Sequence, residues 1–374
     1  MVKPRKVFFF FSNVIDSPIY RGLLDEFSST EFELHCIFLG EETLPLYNYS
    51  RNLPIESMHI EHVSKDDFVK PLFQSAWQLL KTQPKIVITF GQTASMIGLA
   101  SSLITCKARR VYLRMHSSMN RVENFSRGVL YDRISNRLAN EIVVPNENTK
   151  EYLATVEQVV STKITKIEFG FNLSDLLAPT QERVQRIQEE YSLTSDTYVI
   201  GIVSRFTPVK GLQYSLPAVT NFLKRNPKAI LLFAGVGNDP PIELKEAISG
   251  ISPNQVRLIS RVNDMAAYYH CLNVFVHTPI DETVESFGLV YVEAFAAGVP
   301  AIITLSGIAK DIAVNEENCL IVDYCNEQEI EAALDTLSKD ADLSRTLSLN
   351  ARTKVSSFTL EKMCRGYRDL IERA

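Results

Sequence analysis

Several features that would assign a chain to a familiar class are missing from this one. No apolar run approaches the ~20 residues that a membrane span needs, and the longest candidate near the amino terminus, Val7 to Phe11, is too short for the core of a signal peptide. The six cysteines are scattered and include no C-x-x-C pair, which favours reduced, mostly buried thiols over a disulfide framework. These absences predict a cytoplasmic protein.

A dominant charge is missing as well. The 39 lysines and arginines nearly balance the 44 aspartates and glutamates, so the net charge is −5. With 45% hydrophobic and 22% charged residues, the composition is that of a globular protein and excludes disordered, collagen-like and coiled-coil classes. The mildly acidic balance predicts no nucleic-acid partner. At 374 residues the chain is long enough for two domains.

Common nucleotide and hydrolase signatures are also absent. There is no G-x-x-x-x-G-K-[ST] loop, which argues against a P-loop NTPase, and no G-x-S-x-G elbow, which weakens a hydrolase interpretation. The segment AGVGNDPP contains Gly235 and Gly237, but Pro240 stands where a dinucleotide-binding loop needs its third glycine. The one D-x-D sequence, at 340–342, is interpreted as a helix cap rather than a metal site.

Short β-branched or aromatic runs alternate with helical patterns along the chain. Continuous apolar strands separated by helices are typical of a parallel sheet covered on both faces. In the first half these runs span 7–12, 33–40, 56–63, 86–91, 110–115, 141–145 and 162–170. After a polar stretch at 178–196, a second series spans 198–204, 229–235, 256–260, 273–278, 301–304 and 319–323.

Each series predicts one doubly wound, Rossmann-like α/β domain. We place the first domain at residues 1–178 and the second at 197–354. A helix at 355–374 has one apolar face and is expected to pack back towards the first domain. Two such domains facing each other would leave a cleft at the carboxyl ends of their strands, where ligands of such sheets bind.

In the segment ETVESFGLVYVEAFAAGVPAII, seven residues separate Glu285 from Glu293. From Gly288 the pattern turns helical until Gly298, so Glu285 is expected in the loop before a helix and Glu293 in its second turn. Backbone amides at the start of this helix would point outward and suit an anion such as a phosphate. These amides belong to Phe287, Gly288 and Leu289.

The segment GIVSRFTPVKGL places two cations after the first strand of the second domain. Arg205 and Lys210 stand five residues apart, and Pro208 and Gly211 shape the loop that carries them. Arginine offers a planar fork and lysine a compact charge, so together they can neutralise a diphosphate. Taken alone, these two residues would also fit a solvated loop. Their order relative to the glutamate segment favours a diphosphate-binding role instead.

These motifs resemble a known family. S-R-F-T-P-V-K-G-L, L-L-F-A-G-V-G and E-S-F-G-L-V-Y-V-E-A-F-A-A-G-V-P together are similar to family 4 of the retaining, nucleotide-sugar-dependent glycosyltransferases. The resemblance is strongest over residues 198–323 and extends more weakly into 110–175. It implies the GT-B fold, with an acceptor-side first domain and a donor-binding second domain.

The resemblance also implies a role for each matching residue. Arg205 and Lys210 would hold the donor diphosphate and stabilise it as the leaving group. Glu285 would contact hydroxyls of the transferred sugar, and Glu293 those of the nucleotide ribose. His116, after the strand RVYLR, matches the histidine of the first domain that faces the reacting sugar.

Further donor contacts are implied by position within the matched motifs. They comprise Arg261 and Val262 at the base, Ser286, Phe287, Gly288 and Leu289 at phosphate or sugar, and Ser306 and Gly307 in a turn near the donor. The residues implied in catalysis are Glu285, His116, Arg205 and Lys210.

The expected function is transfer of a hexose-type sugar, with retention, from a UDP-, GDP- or ADP-sugar to an acceptor hydroxyl, as in polysaccharide biosynthesis. The resemblance implies no metal ion and no cofactor, because protein cations and a helix terminus neutralise the diphosphate. A glycan, a lipid-linked sugar and a small molecule all stay open as acceptors. Two alternatives also stay open: a GT-B nucleotide-sugar epimerase or phosphorylase, and a non-catalytic scaffold that binds sugar nucleotides.

Basic residues are concentrated in the segment 107–137, where eight lysines and arginines accompany two acids. The segment fits either a solvated helix face or peripheral contact with an anionic membrane or a phosphate-bearing lipid at the cytoplasmic membrane face. The basic residues are Lys107, Arg109, Arg110, Arg114, Arg121, Arg127, Arg133 and Arg137.

Overall fold

The computed structural model describes residues 4–12, 17–28, 32–40, 44–61, 68–114, 126–237, 239 and 241–374. The chain divides into two compact units. The first comprises Met1–Phe171 together with Phe358–Ala374, and the second comprises Asn172–Ser357.

Thirteen strands, counted over the described residues, lie where the two series of apolar runs predict them. Those of the first unit are β1 (Arg5–Ser12), β2 (Phe32–Gly40), β3 (Glu56–Glu61), β4 (Ile86–Phe90), β5 (Arg109–Leu113), β6 (Glu141–Val144) and β7 (Ile164–Lys166). Those of the second unit are β8 (Tyr198–Val203), β9 (Ala229–Ala234), β10 (Val256–Ile259), β11 (Val274–His277), β12 (Ala301–Ile303) and β13 (Leu320–Ile321).

Helices connect these strands. In chain order they are α1 (Pro18–Ser28), α2 (Pro45–Ser50), α3 (Val69–Thr82), α4 (Gln92–Thr105), α5 (Ser126–Leu138), α6 (Glu147–Thr155), α7 (Leu173–Leu177), α8 (Gln181–Glu190), α9 (Leu212–Arg225), α10 (Ile242–Ala247), α11 (Met265–His270), α12 (Leu289–Ala297), α13 (Ala309–Ile312), α14 (Glu327–Lys339), α15 (Ala341–Val355) and α16 (Leu360–Glu372). Within the described ranges, none is both long enough and apolar enough to span a membrane.

The first sheet has the order β3-β2-β1-β4-β5-β6-β7, and every strand pair in it is parallel. Its centre is aromatic: the strand from Val7 to Phe11 is buried throughout, and the rings of Phe11 and Phe90 stack 4.6 Å apart. A strand that is apolar at successive positions must be covered on both faces. The predicted doubly wound arrangement is therefore confirmed for this unit.

The second sheet has the order β10-β9-β8-β11-β12-β13 and is also parallel throughout. Its core lies between β8 and helices such as α9 and α14, which bury apolar faces against it. Because all strands run in one direction, their carboxyl ends meet at one edge of the sheet. Every second-domain residue singled out from the sequence follows a strand at that edge or belongs to the helix that begins there.

The carboxyl terminus belongs to the first unit. Helix α16 buries Met363, Cys364 and Tyr367 on one face, as the periodicity of the sequence predicts. Near its start, Leu360 lies against Gly22 of α1, where a methyl group in place of the glycine hydrogen would come within 2.9 Å of the leucine side chain. The polar stretch that separates the two series of strands contains helix α8, which lies in the second unit.

A buried ion network lies beside β5. The Arg114 guanidinium donates to both carboxylate oxygens of Glu157, at 3.2 and 2.8 Å, and lies 3.2 Å from Asp132. The Tyr112 hydroxyl donates to Asp132 at 3.0 Å, and the Asn136 amide donates to Glu157 at 2.7 Å. The charged side chains are buried, so each depends on its partners for solvation.

Replacing Arg114 with methionine should leave the Asp132 and Glu157 carboxylates buried without their cation. We expect the free energy of unfolding of the first unit, measured by urea denaturation, to fall by about 3–5 kcal/mol. Arg133→Met is the matched control because Arg133 is exposed on the same helix as Asp132, and it should change that free energy by less than about 0.5 kcal/mol. Equal losses in the two variants would contradict a stabilising role for the network.

Candidate active site

The candidate site lies at the carboxyl edge of the second sheet. Arg205 stands two residues beyond β8, and Arg261 stands two residues beyond β10. Glu285 lies in the loop between β11 and α12, and Ser306 lies three residues beyond β12. The parallel topology thus brings together loops that are as much as 101 residues apart in the sequence, counted from Arg205 to Ser306.

The loop after β8 holds Lys210 at the end of a short 3₁₀ turn, Pro208–Lys210. The next residue, Gly211, has a φ of +71°, and a Cβ there would come within 1.9 Å of the carbonyl oxygen of Thr278. Only glycine fits this position, because any side chain would collide with the backbone that follows β11. This close approach places Lys210 beside the end of β11.

Lys210, His277 and Glu285 form the charged centre of the site. The Lys210 ammonium donates to Oε1 of Glu285 at 2.6 Å, and His277 Nε2 lies 2.7 Å from the same oxygen. The lysine and glutamate side chains are 11% and 13% exposed, and the histidine is 3% exposed. Two donors on one carboxylate oxygen fix the glutamate while leaving its other oxygen available to a ligand.

Glu285 is held in its ionised form. Burial alone would raise the pKa of its carboxyl group, but the hydrogen bond and charge of His277 and those of Lys210 outweigh burial and lower the pKa to about 2. Because the carboxylate can only accept, His277 Nε2 carries the hydrogen of their shared bond. The histidine ring is itself held edge-on against Tyr291, 5.0 Å between centroids.

The loop after β12 also contacts the Glu285 loop. The Glu285 amide donates to Oγ of Ser306 at 3.0 Å, and the Ile308 amide donates to the Phe287 carbonyl at 2.7 Å. Gly307 has a φ of +59°, and a Cβ there would come within 2.5 Å of that carbonyl oxygen. The Ser306–Gly307 turn therefore packs directly against the loop that carries Glu285 and Phe287.

Helix α12 begins and ends at glycines, as the sequence predicts. Gly288, with a φ of +85°, is its N-cap and provides no side-chain cap, and Gly298, with a φ of +72°, is its C-cap. Glu293 lies in the second turn and accepts a hydrogen bond of 3.0 Å from the Tyr269 hydroxyl. Burial raises the pKa of Glu293, and the Tyr269 hydrogen bond only partly opposes this rise.

Not every predicted residue joins this cluster. The Arg205 side chain is exposed and forms no ion pair with any residue that the structure describes, and Arg261 is likewise exposed. Val262 and Ser286 are half-buried, Phe287 and Gly288 are buried, and Leu289 is exposed. His116 lies outside the described residues. Within the described ranges, no three His, Cys, Asp or Glu side chains are grouped as ligands of a metal ion would be.

Two residues of the site were not predicted from the sequence. His277 is the last residue of β11, and Tyr269 lies in α11 and contacts the second glutamate. A polar residue that ends a strand just before a glutamate loop is a usable signal for His277. Tyr269 offers no comparable signal, because a tyrosine on an apolar helix face usually belongs to the core.

Comparison with known proteins gives this geometry a family context. Residues 184–354 match the family model described as Glycosyl transferases group 1. The capsular polysaccharide biosynthesis glycosyltransferase CapM of Staphylococcus aureus is 26% identical over 364 residues, which is 95% of this chain and 93% of CapM. The alpha-monoglucosyldiacylglycerol synthase of Acholeplasma laidlawii is 26% identical over 56% of this chain and 54% of its own length.

The fold matches solved structures over nearly the whole chain. The crystal structure of HepE of Anabaena in complex with UDP superposes with a TM-score of 0.82 at 17% identity, covering 99% of this chain and 100% of HepE. At that identity the likeness shows the fold, which is the GT-B fold predicted from the sequence motifs. Residues 184–354 are thus similar to the group 1 glycosyltransferases, and the chain as a whole has the GT-B fold.

Proposed function

We propose that this protein transfers a sugar, with retention, from a nucleotide diphosphate sugar to an acceptor hydroxyl, and that it binds the donor at the carboxyl edge of the second sheet. The observation that carries the proposal is the contact of Lys210 and His277 with one oxygen of Glu285. At this sheet edge the lysine can bind the diphosphate of the donor while the neighbouring ionised glutamate binds its sugar. The group 1 match spans these three residues.

The chemistry follows from where charge develops. When the bond between the anomeric carbon and the phosphate breaks, negative charge grows on the diphosphate and positive character grows on the sugar ring. Lys210 and Arg205 would stabilise the diphosphate as it leaves. Arg205 is exposed and has no carboxylate partner among the described residues, so its guanidinium can turn to a ligand without breaking an ion pair.

Glu285 would orient the sugar. Its carboxylate is ionised and already holds two donors on Oε1, so the second oxygen can accept hydrogen bonds from sugar hydroxyls. Glu293 would accept from the ribose hydroxyls, with Tyr269 fixing its position. The backbone amides of Phe287, Gly288 and Leu289 would donate hydrogen bonds to the phosphate or the sugar. Arg261 and Val262 would contact the base.

The proposed reaction needs no metal ion or cofactor, because Lys210, Arg205 and the start of α12 supply the positive charge that a metal would bring. We propose UDP as the first nucleotide to test, since HepE was crystallised with UDP and with UDP-glucose. The name of CapM refers to capsular polysaccharide biosynthesis, which supports a glycan acceptor. A cytoplasmic location is part of the proposal. The diacylglycerol in the name of the Acholeplasma relative supports a lipid acceptor as the second candidate.

A donor screen followed by product analysis tests the proposal. A ligand that binds the folded protein raises its melting temperature by mass action, so UDP, GDP, ADP and their sugars can be ranked by thermal shift. Mass spectrometry then detects a glycosylated product with glycan and lipid acceptors, and NMR of the new linkage reports retention. Interconversion of the donor without an acceptor would favour an epimerase. Release of a sugar phosphate when inorganic phosphate is supplied would favour a phosphorylase. Binding without turnover would favour a scaffold.

Removing either member of the central pair should abolish transfer. For Lys210→Ala and for Glu285→Ala we expect kcat/KM to fall by at least about 100-fold, as when one preorganised electrostatic contact is lost. Lys228→Ala is the matched control, since Lys228 pairs with Asp196 on the exposed surface of the same unit. The measurement is donor consumption and product formation at saturating acceptor. Wild-type rates in both variants would refute the proposed site.

The Tyr269 hydroxyl should act through Glu293. Tyr269→Phe removes the hydrogen bond that this carboxylate accepts, so we expect donor affinity to weaken by about fivefold, with kcat nearly unchanged. Tyr268→Phe is the control, because the Tyr268 hydroxyl donates to the Leu232 carbonyl and not to Glu293. Isothermal titration with the nucleotide measures the donor affinity of each variant. An equal loss in both variants would point to a general packing effect.

The depressed pKa of Glu285 predicts a pH-dependent contribution to stability. Its folded-state pKa of about 2 lies below the ordinary value of 4.5, so the ionised group stabilises the folded protein above pH 4.5 and loses that contribution as the pH falls towards 2. A difference of that size corresponds to about 3 kcal/mol. Glu285→Gln should therefore flatten the acid limb of the stability curve, measured by urea unfolding between neutral pH and pH 2. Parallel curves for both proteins would contradict this.

A further inference from the structure

An apolar stripe lies exposed on helix α3 of the first unit. Val69, Phe73, Trp77 and Leu80 follow one another at intervals of four, four and three residues, so they fall within about 80° on one side of the helix. Phe73 is 67% exposed and Trp77 is 59% exposed. The helix has a different buried face, made by Pro71, Ser75, Ala76 and Leu79. We call the four exposed residues the α3 stripe.

The carboxyl end of α4 extends the same surface. The Gln83 side chain donates to the Leu80 carbonyl at the end of α3 and to the Thr105 carbonyl at the end of α4, which ties the two helix ends together. Leu103 and Ile104, in that last turn of α4, are exposed. Large apolar side chains that gather on an exposed surface mark an interaction site.

The stretch of sequence that carries this surface has basic residues and no acidic ones. The sequence contains no aspartate or glutamate from residue 68 to residue 122. Four lysines of this stretch are exposed and form no ion pair with any residue that the structure describes: Lys70, Lys81, Lys85 and Lys107. Lys81 lies over the Trp77 ring, 5.1 Å from its centroid. We call these four the lysine group.

The structure pairs part of the basic segment 107–137 internally. Arg109 contacts Glu141, and Arg114 is buried between Asp132 and Glu157. Arg121 lies outside the described residues, and nothing is described of the Arg127 side chain. Among the described parts of the segment, Lys107 stands beside exposed apolar residues of α4 and belongs to the lysine group.

We propose that the α3 stripe, the end of α4 and the lysine group together bind the surface of an anionic lipid bilayer. Phenylalanine, tryptophan and leucine on one helix face insert into the boundary between headgroups and acyl chains, and flanking lysines attract anionic headgroups. Charge selects this partner over a second copy of the chain. Two copies that met through this surface would bring eight unpaired lysines together with no carboxylate from the same stretch to offset them.

Trp77 is the only tryptophan of the sequence and lies in the stripe, so it reports the contact directly. The full-length protein is mixed with vesicles of phosphatidylcholine alone or with about one-third phosphatidylglycerol. We expect the tryptophan emission to shift to shorter wavelength, and the protein to pellet, with the anionic vesicles only. Brominated acyl chains should quench the emission. High salt should weaken the binding.

Matched variants separate the apolar and charged contributions. Phe73→Ser with Leu80→Ser should weaken vesicle binding by at least about tenfold, because two apolar side chains that would enter the bilayer are lost. Leu349→Ser, on an exposed position of α15, should not weaken it. Lys81→Gln and Lys107→Gln should each weaken it by about fivefold, and Lys354→Gln, an exposed lysine of the second unit, should not. A melting curve for each variant verifies that it folds.

Three outcomes would overturn the proposal. One is a tryptophan spectrum unchanged by anionic vesicles, and another is equal binding by the stripe variants and their controls. The third is a concentration-dependent dimer in analytical ultracentrifugation that Phe73→Ser with Leu80→Ser dissociates, which would assign the surface to a second copy. Nucleotide binding by thermal shift is expected to be the same in all these variants, so failure of the membrane contact and failure of the proposed sugar transfer are distinguishable.

Discussion

One carboxylate oxygen organises the candidate site. Oε1 of Glu285 receives Lys210 from the loop after β8 and His277 from the end of β11. The backbone of the same residue is held by Ser306, from the loop after β12. Three connections of the second sheet are thus joined at one residue. A glutamate buried without these donors would favour its neutral form, so the same contacts that join the loops also keep the site charged.

Backbone geometry makes this convergence possible. At Gly211 and Gly307 a Cβ would collide with a carbonyl oxygen, at 1.9 and 2.5 Å. Both glycines have positive φ, so each loop turns in a conformation that other residues rarely adopt. The approach of the β8 loop to β11 and that of the β12 loop to the glutamate loop are both closer than a side chain would allow. The charged contacts therefore depend on two positions that carry no charge.

The sequence predicts most of the architecture because the decisive signals are local. The continuous apolar run that becomes β1 and the two glycines that bound α12 indicate their structures without any knowledge of the rest of the chain. Lys210 and Glu285 could be paired in advance only through motif order. The position of His277 at the end of an apolar strand marks it as a candidate, but that position is also compatible with the core, and its contact with Glu285 depends on loop packing that the sequence does not show.

The same limit applies to the first unit. Spacing predicts that the segment around Trp77 is helical, yet it does not say which apolar residues face inward. The helix buries Ala76 and Leu79 and leaves Phe73 and Trp77 exposed. Composition also does not distinguish Arg114, which is buried between two carboxylates, from Lys107, which is exposed. Both count as one positive charge in the sequence, and only their surroundings decide what each can bind.

Burial separates two ways of attracting an anion in this protein. Lys210 is largely buried and fixed by a short contact to Glu285. A charge in such surroundings is weakly screened and acts at one position, which suits recognition of a single small ligand. The lysines around the α3 stripe are exposed, so salt screens them and each contributes little. Weak contributions spread over a surface suit a partner that is itself a surface, and they make its binding reversible. The apolar stripe then supplies the part of the attraction that salt does not remove.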